Sequence, residues 1–366
     1  MNLLVTGGCG FIGSHVLEHA IGQPEVERVV NLDCLAYAGR LENVAAVASH
    51  PKYHFEQVDL RDKPAVARVV RDHTITHVLH LAAESHVDRS IEAPGDFIQT
   101  NVVGTFNLLE ACRAAWTQTP DPRPQTRFVH VSTDEVFGSL GPAGHFTETS
   151  PYAPNSPYAA SKAASDLLVR SYHQTYGLDT VTTHGSNTYG PRQFPEKLIP
   201  LVIIRAAARQ PIPVYGDGQN IRDWLHVTDH AQALWQALMR GRAGETYCLG
   251  GGNEWPNLRL VEHLCDLVDE LAPQLGGNTR RLTTFVPDRP GHDRRYAMDT
   301  AKARRELGLQ PMHSFESGIR ETVRRYLTQQ PARGGGSALP EPAACGKARL
   351  TPAPLNRKSP QVNRTK

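Results

Sequence analysis

The stretch TGGCGFIGSH, Thr6 to His15, limits the possible folds more than any other part of the chain. It follows the apolar run NLLV and opens directly into a helix-like stretch. Gly7, Gly10 and Gly13 recur at every third residue. Glycine lets the backbone turn sharply and lets a diphosphate approach the free N–H groups at a helix start. Asp33 closes the next apolar run, RVVNLD, 20 residues after Gly13. A carboxylate there accepts from a ribose 2′-hydroxyl and repels a 2′-phosphate, so the pattern predicts NAD rather than NADP. Asp59, at the end of FEQVDL, suits the adenine edge of the same ligand; a surface-loop role is equally open.

The rhythm after this turn is regular. NLLVTG, RVVNLD, YHFEQVDL, HVLHLAA and RFVHVST read as strands, with helical stretches such as KPAVARVVRDH and DFIQTNVVGTFNLLEACRAAW between them. Alternating β and α units imply a doubly wound parallel α/β sheet of the Rossmann type, with ligands at the carboxyl ends of its strands. The expected division is an NAD-binding domain over residues 1–190, interleaved at its boundary with a smaller mixed α/β substrate domain over 191–328. In the second half, PRQFPEKLIPLVIIRAAARQPIPVYGDGQNIRDWLHV mixes loops, a helix and a short hairpin-like piece, and NLRLVEHLCDLVDELA is amphipathic, with Leu260, Leu264, Leu267 and Leu271 at helical spacing.

Composition narrows the function. The net charge of +2 gives no reason to expect nucleic acid or a membrane surface as partner. No apolar run is long enough to span a bilayer, and the start MNLLVTGG enters a strand without a charged leader. The six cysteines form no C-x-x-C pair, so structural zinc is not expected and a reduced, cytoplasmic setting fits. Residues 331–366 carry seven Lys/Arg, one Glu and six Pro, so the body before them goes from +2 to −4. That segment has too few large apolar residues to offset its chain entropy and reads as a disordered basic tail.

Two groups of residues carry chemistry. In NSPYAASKAASDLLV, Ser156 suits a helix N-cap and Pro157 the first helical position. Tyr158 and Lys162 then share one helix face, and an ammonium near a phenol favours the phenolate. Tyr158 is thus a candidate base for a hydroxyl proton while hydride leaves the same carbon. The second group is Thr133, Asp134 and Glu135, at the end of the strand RFVHVST. Two adjacent carboxyls at a strand end suit two proton transfers on one substrate, if their surroundings leave one charged and one protonated. The residues alone do not say which acid carries the proton.

Together the glycine turn, YAASK and STDEVFGS resemble the extended short-chain dehydrogenase/reductase family. Within it, NLDCLAYAGRLENV, HLAAESHVDRSI, TNVVGT, YGPRQFPEKLIPL, YGDGQNIRDWLHV and DRPGHDRRYAMD resemble the dTDP-glucose 4,6-dehydratases, over residues 1 to about 328. The resemblance implies that hexose C4 is oxidised by NAD, with Tyr158 as base and Thr133 on the same oxygen. It implies Glu135 as base at C5 and Asp134 as acid to the departing C6 hydroxyl. NAD contacts are implied at Gly7, Gly10, Phe11, Ile12, Gly13, Asp33, Asp59, Leu60, Ala82, Ala83, Tyr158 and Lys162. The substrate dTDP-glucose is implied to meet Ser85, Thr133, Asn187, Glu196, Lys197, Arg222, Asn257, Arg289, His292 and Tyr296.

The resemblance also implies a homodimer through the helices over DFIQTNVVGTFNLLEACRAAW and SPYAASKAASDLLVRSYHQTYG. Four positions depart from the family pattern. Thr188 stands for an Asn and His184 for an Arg near the cofactor, Cys34 for a Lys beside the ribose, and Phe137 for a Tyr. A UDP-sugar 4,6-dehydratase remains open. So does an epimerase or decarboxylase of the same family, although Asp134 beside Glu135 speaks for dehydration. A non-catalytic NAD-binding protein is the reading from another class, and the intact Tyr158, Lys162, Asp134 and Glu135 argue against it. His15 and His77 are expected in ordinary packing or surface roles.

Overall fold

All five apolar runs become strands. In the computed structural model, which describes residues 1–36, 38–117 and 125–329, they are β1 (Asn2–Thr6), β2 (Arg28–Asp33), β3 (Tyr53–Gln57), β4 (His77–His80) and β5 (Arg127–Thr133). β6 (Thr180–Gly185), β7 (Asn187–Tyr189), β8 (Ile212–Tyr215), β9 (Ile221–His226), β10 (Thr246–Leu249), β11 (Glu254–Pro256) and β12 (Thr283–Val286) follow. The basic tail lies outside the described residues.

Seven strands form one parallel sheet in the order β10-β6-β5-β4-β1-β2-β3. The doubly wound fold expected from the alternation is therefore present, and its order reverses between β1 and β4. At such a switch point the flanking connections leave to opposite faces and open a crevice beyond the strand ends. Both faces are covered, so the central strands are apolar along their length: Leu3, Leu4, Val5, Val29, Val30, Val78, Leu79, Phe128 and Val129 are all fully buried. The last strand, β10, comes from beyond residue 190 and pairs with β6 from Thr246↔Thr182 to Leu249↔Gly185.

The hairpin-like piece expected within residues 191–227 does not form. β8 pairs in parallel with β12, while β9 pairs with β7 and β11. Gly216 and Gly218 turn the chain with positive φ, and the two flanking strands part to different sheets. The helix Asn257–Leu271 buries Leu260, Leu264 and Leu267. With Val202, Ile203, Trp224 and Phe315 they form an apolar core separate from those on the two faces of the large sheet.

Two helices set the site. Ser156 caps the helix Pro157–Tyr176 by accepting from the Ala159 N–H at 3.1 Å, with Pro157 in the first turn and Gly177 left-handed after the last. The run DFIQTNVVGTF is helical but not uniform. A π-helical turn, Ile98–Val103, precedes the α-helix Gly104–Thr117. Asn101 in that turn accepts from the Glu84 N–H (2.8 Å) and donates to the Glu84 carbonyl (3.0 Å) and Ser161 Oγ (2.9 Å). It ties the loop after β4 to the Tyr158 helix. Such turns concentrate at functional sites.

Candidate active site

A cavity of about 520 Å³ runs over the carboxyl ends of the strands, from the glycine turn to the end of β5. At its first end the fit to a diphosphate is steric. Gly7 has φ +71°, and a Cβ there would sit 2.8 Å from the Ala82 backbone. A Cβ on Gly13 would sit 2.2 Å from the Gly7 carbonyl oxygen. Only glycine closes this turn, and the helix Phe11–Ile21 begins beside the cavity with no side-chain cap at Gly10. Its first N–H groups remain for an acceptor.

Asp33 lines the same wall. Its carboxylate accepts from the Cys9 N–H (2.9 Å) and the Leu35 N–H (2.8 Å), which fixes its rotamer and leaves lone pairs for a hydroxyl donor. Phe11, Ile12, Leu60, Ala82 and Ala83 complete the apolar lining. Asp59 is also there, but Arg61 holds its carboxylate in a fork at 2.6 to 3.0 Å. These residues fit a dinucleotide: a cradle that any larger side chain would fill, an unsatisfied helix start and a fixed ribose acceptor.

The other end of the cavity gathers Ser85, Thr133, Asp134, Glu135, Tyr158, Lys162, Asn187, Glu196 and Lys197. Thr133, the last residue of β5, donates to Asp134 Oδ1 at 3.3 Å, and its Oγ1 accepts from the Glu135 N–H. The Tyr158 hydroxyl faces the same threonine, whose hydroxyl acts to lower the phenol's pKa. Asp134 is 2% exposed, and its Oδ2 has no partner. Burial first, then the charge of Glu135, pushes its pKa well above the carboxylate range. Glu135 is raised by burial too, but Arg289, Arg222 and Lys197 oppose the rise. The surroundings thus divide the two acids: burial and the Glu135 charge favour the neutral form of Asp134, while three cations favour charge on Glu135.

On balance the phenol of Tyr158 is raised, because burial outweighs any help from Lys162. The negative charge of Glu135 adds to the effect of burial. Lys162 Nζ donates to the Val131 carbonyl at 2.8 Å, and burial lowers its own pKa to about 8.

Arg222, Asn257, Arg289, His292 and Tyr296 do not line this cavity; they form a second group beside it. The Arg222 guanidinium lies 4.2 Å from the centre of the Tyr296 ring and donates to the Asp293 carbonyl. The Tyr296 hydroxyl donates to Asp293 at 2.6 Å. Arg289 lies 3.6 Å from Asp88, and His292 pairs with Asp288 at 2.6 Å. Asn257 stands at its helix start with a buried, unpartnered Oδ1. The influence of Arg222 and Arg289 on Glu135 links this group to the acids.

The departures divide as well. Thr188 and Cys34 line the cavity, Thr188 paired with His230 at 2.8 Å. Phe137 and His184 do not. Phe137 packs on Phe146 and Tyr152, and His184 turns beneath the sheet to Asp166 at 3.0 Å. The sequence reading missed Asn101, His130 and Asp166; only the four-residue step from Lys162 to Asp166 hinted at the last. Among the described residues, His226, His313 and Glu321 also come together. The two imidazoles stack with centroids 4.0 Å apart and planes 32° apart, so their in-plane lone pairs run side by side rather than converging on one ion.

Comparison with known proteins agrees with this geometry. The family described as GDP-mannose 4,6 dehydratase matches residues 4–322. A dTDP-glucose 4,6-dehydratase of Neisseria gonorrhoeae is 56% identical over 91% of this chain and 97% of its own. The crystal structure of DesIV, a dTDP-glucose 4,6-dehydratase from Streptomyces venezuelae solved with NAD bound, superposes with a TM-score of 0.82. It is 46% identical and covers 90% of this chain and 98% of its own. A UDP-glucose 4-epimerase of Thermus thermophilus, also solved with NAD, gives 0.78 at 34% identity over 90% of this chain and 100% of its own. The fold is therefore shared with epimerases, and the level of identity over nearly the whole chain is what separates the branches. The chain belongs to the 4,6-dehydratase family of nucleotide-sugar enzymes within the extended short-chain dehydrogenases/reductases, and within that family to the dTDP-glucose 4,6-dehydratases.

Proposed function

We propose that the chain is an NAD-dependent hydro-lyase that converts dTDP-glucose to dTDP-4-keto-6-deoxy-glucose. The observation that carries this reading is the divided pair of acids beside Tyr158: Asp134 buried, with an oxygen that needs a proton, and Glu135 facing three cations. An epimerase has no use for an acid and a base on neighbouring carbons. The close relatives named for dTDP-glucose favour that nucleotide over UDP.

Bound NAD supplies the hydride acceptor for C4 of the hexose and the hydride donor for C6. The protein moves the protons. Tyr158 takes the C4 hydroxyl proton, and Thr133 holds the same oxygen. The resulting ketone acidifies C5, and Glu135 removes the C5 proton. Asp134 gives its proton to the C6 hydroxyl, which leaves as water. A proton then returns to C5. Gly7, Gly10, Phe11, Ile12, Gly13, Asp33, Asp59, Leu60, Ala82 and Ala83 hold the dinucleotide, joined by Tyr158 and Lys162 at its reactive end. Ser85, Asn187, Glu196, Lys197, Arg222, Asn257, Arg289, His292 and Tyr296 hold the sugar nucleotide, the cations answering its diphosphate. On this reading residues 1–190 carry the cofactor and 191–328 the sugar nucleotide.

We further infer a cytoplasmic homodimer built on the helices Gly104–Thr117 and Pro157–Tyr176. Support comes from the large apolar side chains they leave in solvent, Phe106, Leu167 and Tyr176. No described helix is long and apolar enough to cross a membrane.

The decisive experiment supplies dTDP-glucose and UDP-glucose side by side to the purified protein. A 4-keto-6-deoxy product from dTDP-glucose, without net NADH, is expected. Net NADH, a C4 epimer or carbon dioxide would overturn the reading.

A further inference from the structure

A fully buried carboxylate lies behind the cofactor cavity. Asp166 stands one turn after Lys162 on the same helix and is 3% exposed. Its Oδ2 accepts from Ser132 Oγ (2.9 Å), the Tyr152 hydroxyl (3.1 Å) and His184 Nε2 (3.0 Å). Its Oδ1 lies 3.1 Å from His130 Nε2. That same nitrogen is 3.5 Å from Lys162 Nζ, so His130 stands between the lysine and the carboxylate. Asp166, His130, His184 and Tyr152 lie off the cavity wall, whereas Lys162 lines it.

This arrangement answers a physical need. Lys162 is 4% exposed, and its one close acceptor is a neutral carbonyl. A buried ammonium so placed tends to lose its proton. The charge acting against that loss is Asp166. Burial alone would protonate Asp166 as well, but the His184 hydrogen bond and the His130 imidazole 3.1 Å away hold it well below the carboxylate range. Burial, then the charge of Lys162, lowers His130 to about 4, so it stands between the two as a neutral imidazole whose Nε2 can serve only one of them. The other titratable groups facing the cluster are Tyr152, His184, and His80, whose ring centre lies 5.3 Å from that of His130. His80 is likewise kept neutral by burial.

We propose that Asp166, across the neutral His130 ring, is the counter-ion that keeps Lys162 protonated at the cavity wall, a positioning role in the hydrogen transfer at C4. The proposal rests on the reading of Lys162 given above.

The test is the pH profile of kcat for Asp166→Asn, which keeps the shape and removes the charge. The wild type should lose rate as Lys162 deprotonates near pH 8. Asp166→Asn should move that alkaline limb acidward by about one pH unit, an approximately fivefold lower kcat at pH 8, with KM for dTDP-glucose held within about twofold. Asp166→Glu should recover part of the loss. A folded Asp166→Asn protein with an unmoved limb overturns the proposal. If Asp166→Asn does not fold, His130→Gln carries the test: an acidward limb supports the proposal and an unmoved one overturns it. A wild type that makes no 4-keto product overturns both this proposal and the dehydratase reading. An active wild type with unmoved variants overturns this proposal alone.

Discussion

Asp134 and Glu135 are neighbours in sequence but differ in surroundings. One is sealed against β5 with an unpaired oxygen; the other looks toward Arg222, Arg289 and Lys197. Replacing Glu135 by Gln keeps the shape and removes the base, so turnover should fall by about 10²- to 10⁴-fold. C4 oxidation should survive in that variant, so reduced cofactor should build up on the protein when dTDP-glucose is added, read by absorbance. Unchanged turnover would remove Glu135 from its role. The pH dependence has a definite sign. Glu135 must be charged to act, and its pKa is raised, so the acid limb of kcat should lie above the ordinary carboxylate range. Changing Lys197 to Met removes one of the cations holding Glu135 down, so that limb should move to higher pH.

At the scale of elements, the β1–helix connection works because Gly7 and Gly13 leave no volume for anything else. Gly13→Ala would drive a methyl into the Gly7 carbonyl, 2.2 Å away. The purified variant should carry little or no NAD, measured by the nucleotide released on denaturation, while circular dichroism stays close to that of the wild type. The Tyr158 helix was readable in advance, since Ser156, Pro157 and Gly177 mark its ends by ordinary capping chemistry. The π-helical turn at Ile98–Val103 was not. No residue type announces it, and Asn101 earns its place only through Glu84 and Ser161, 17 and 60 residues away.

For the whole molecule, the apolar core around the helix Asn257–Leu271 is separate from those on the large sheet. Leu264 is fully buried in it, and Leu264→Ala should lower stability by about 2–5 kcal/mol. Urea unfolding would measure the loss, and binding of the sugar nucleotide should weaken before binding of NAD does. Local chemistry was sufficient for much of this molecule. The strand–glycine turn–helix, the carboxylate of Asp33 at the end of β2, the Tyr158/Lys162 face and the acidic strand end at β5 follow from steric limits and from periods of two and 3.6 residues, which act over a few positions. Pairing and burial were settled elsewhere. β10 closes the sheet from 60 residues beyond its partner, β8 and β9 part to different sheets, and Lys162 turns to the Val131 carbonyl with a buried Asp166 behind it. Those outcomes depend on which distant surface excludes water best. Only the folded chain decides that, because the low dielectric that sets each proton is made by residues remote in sequence.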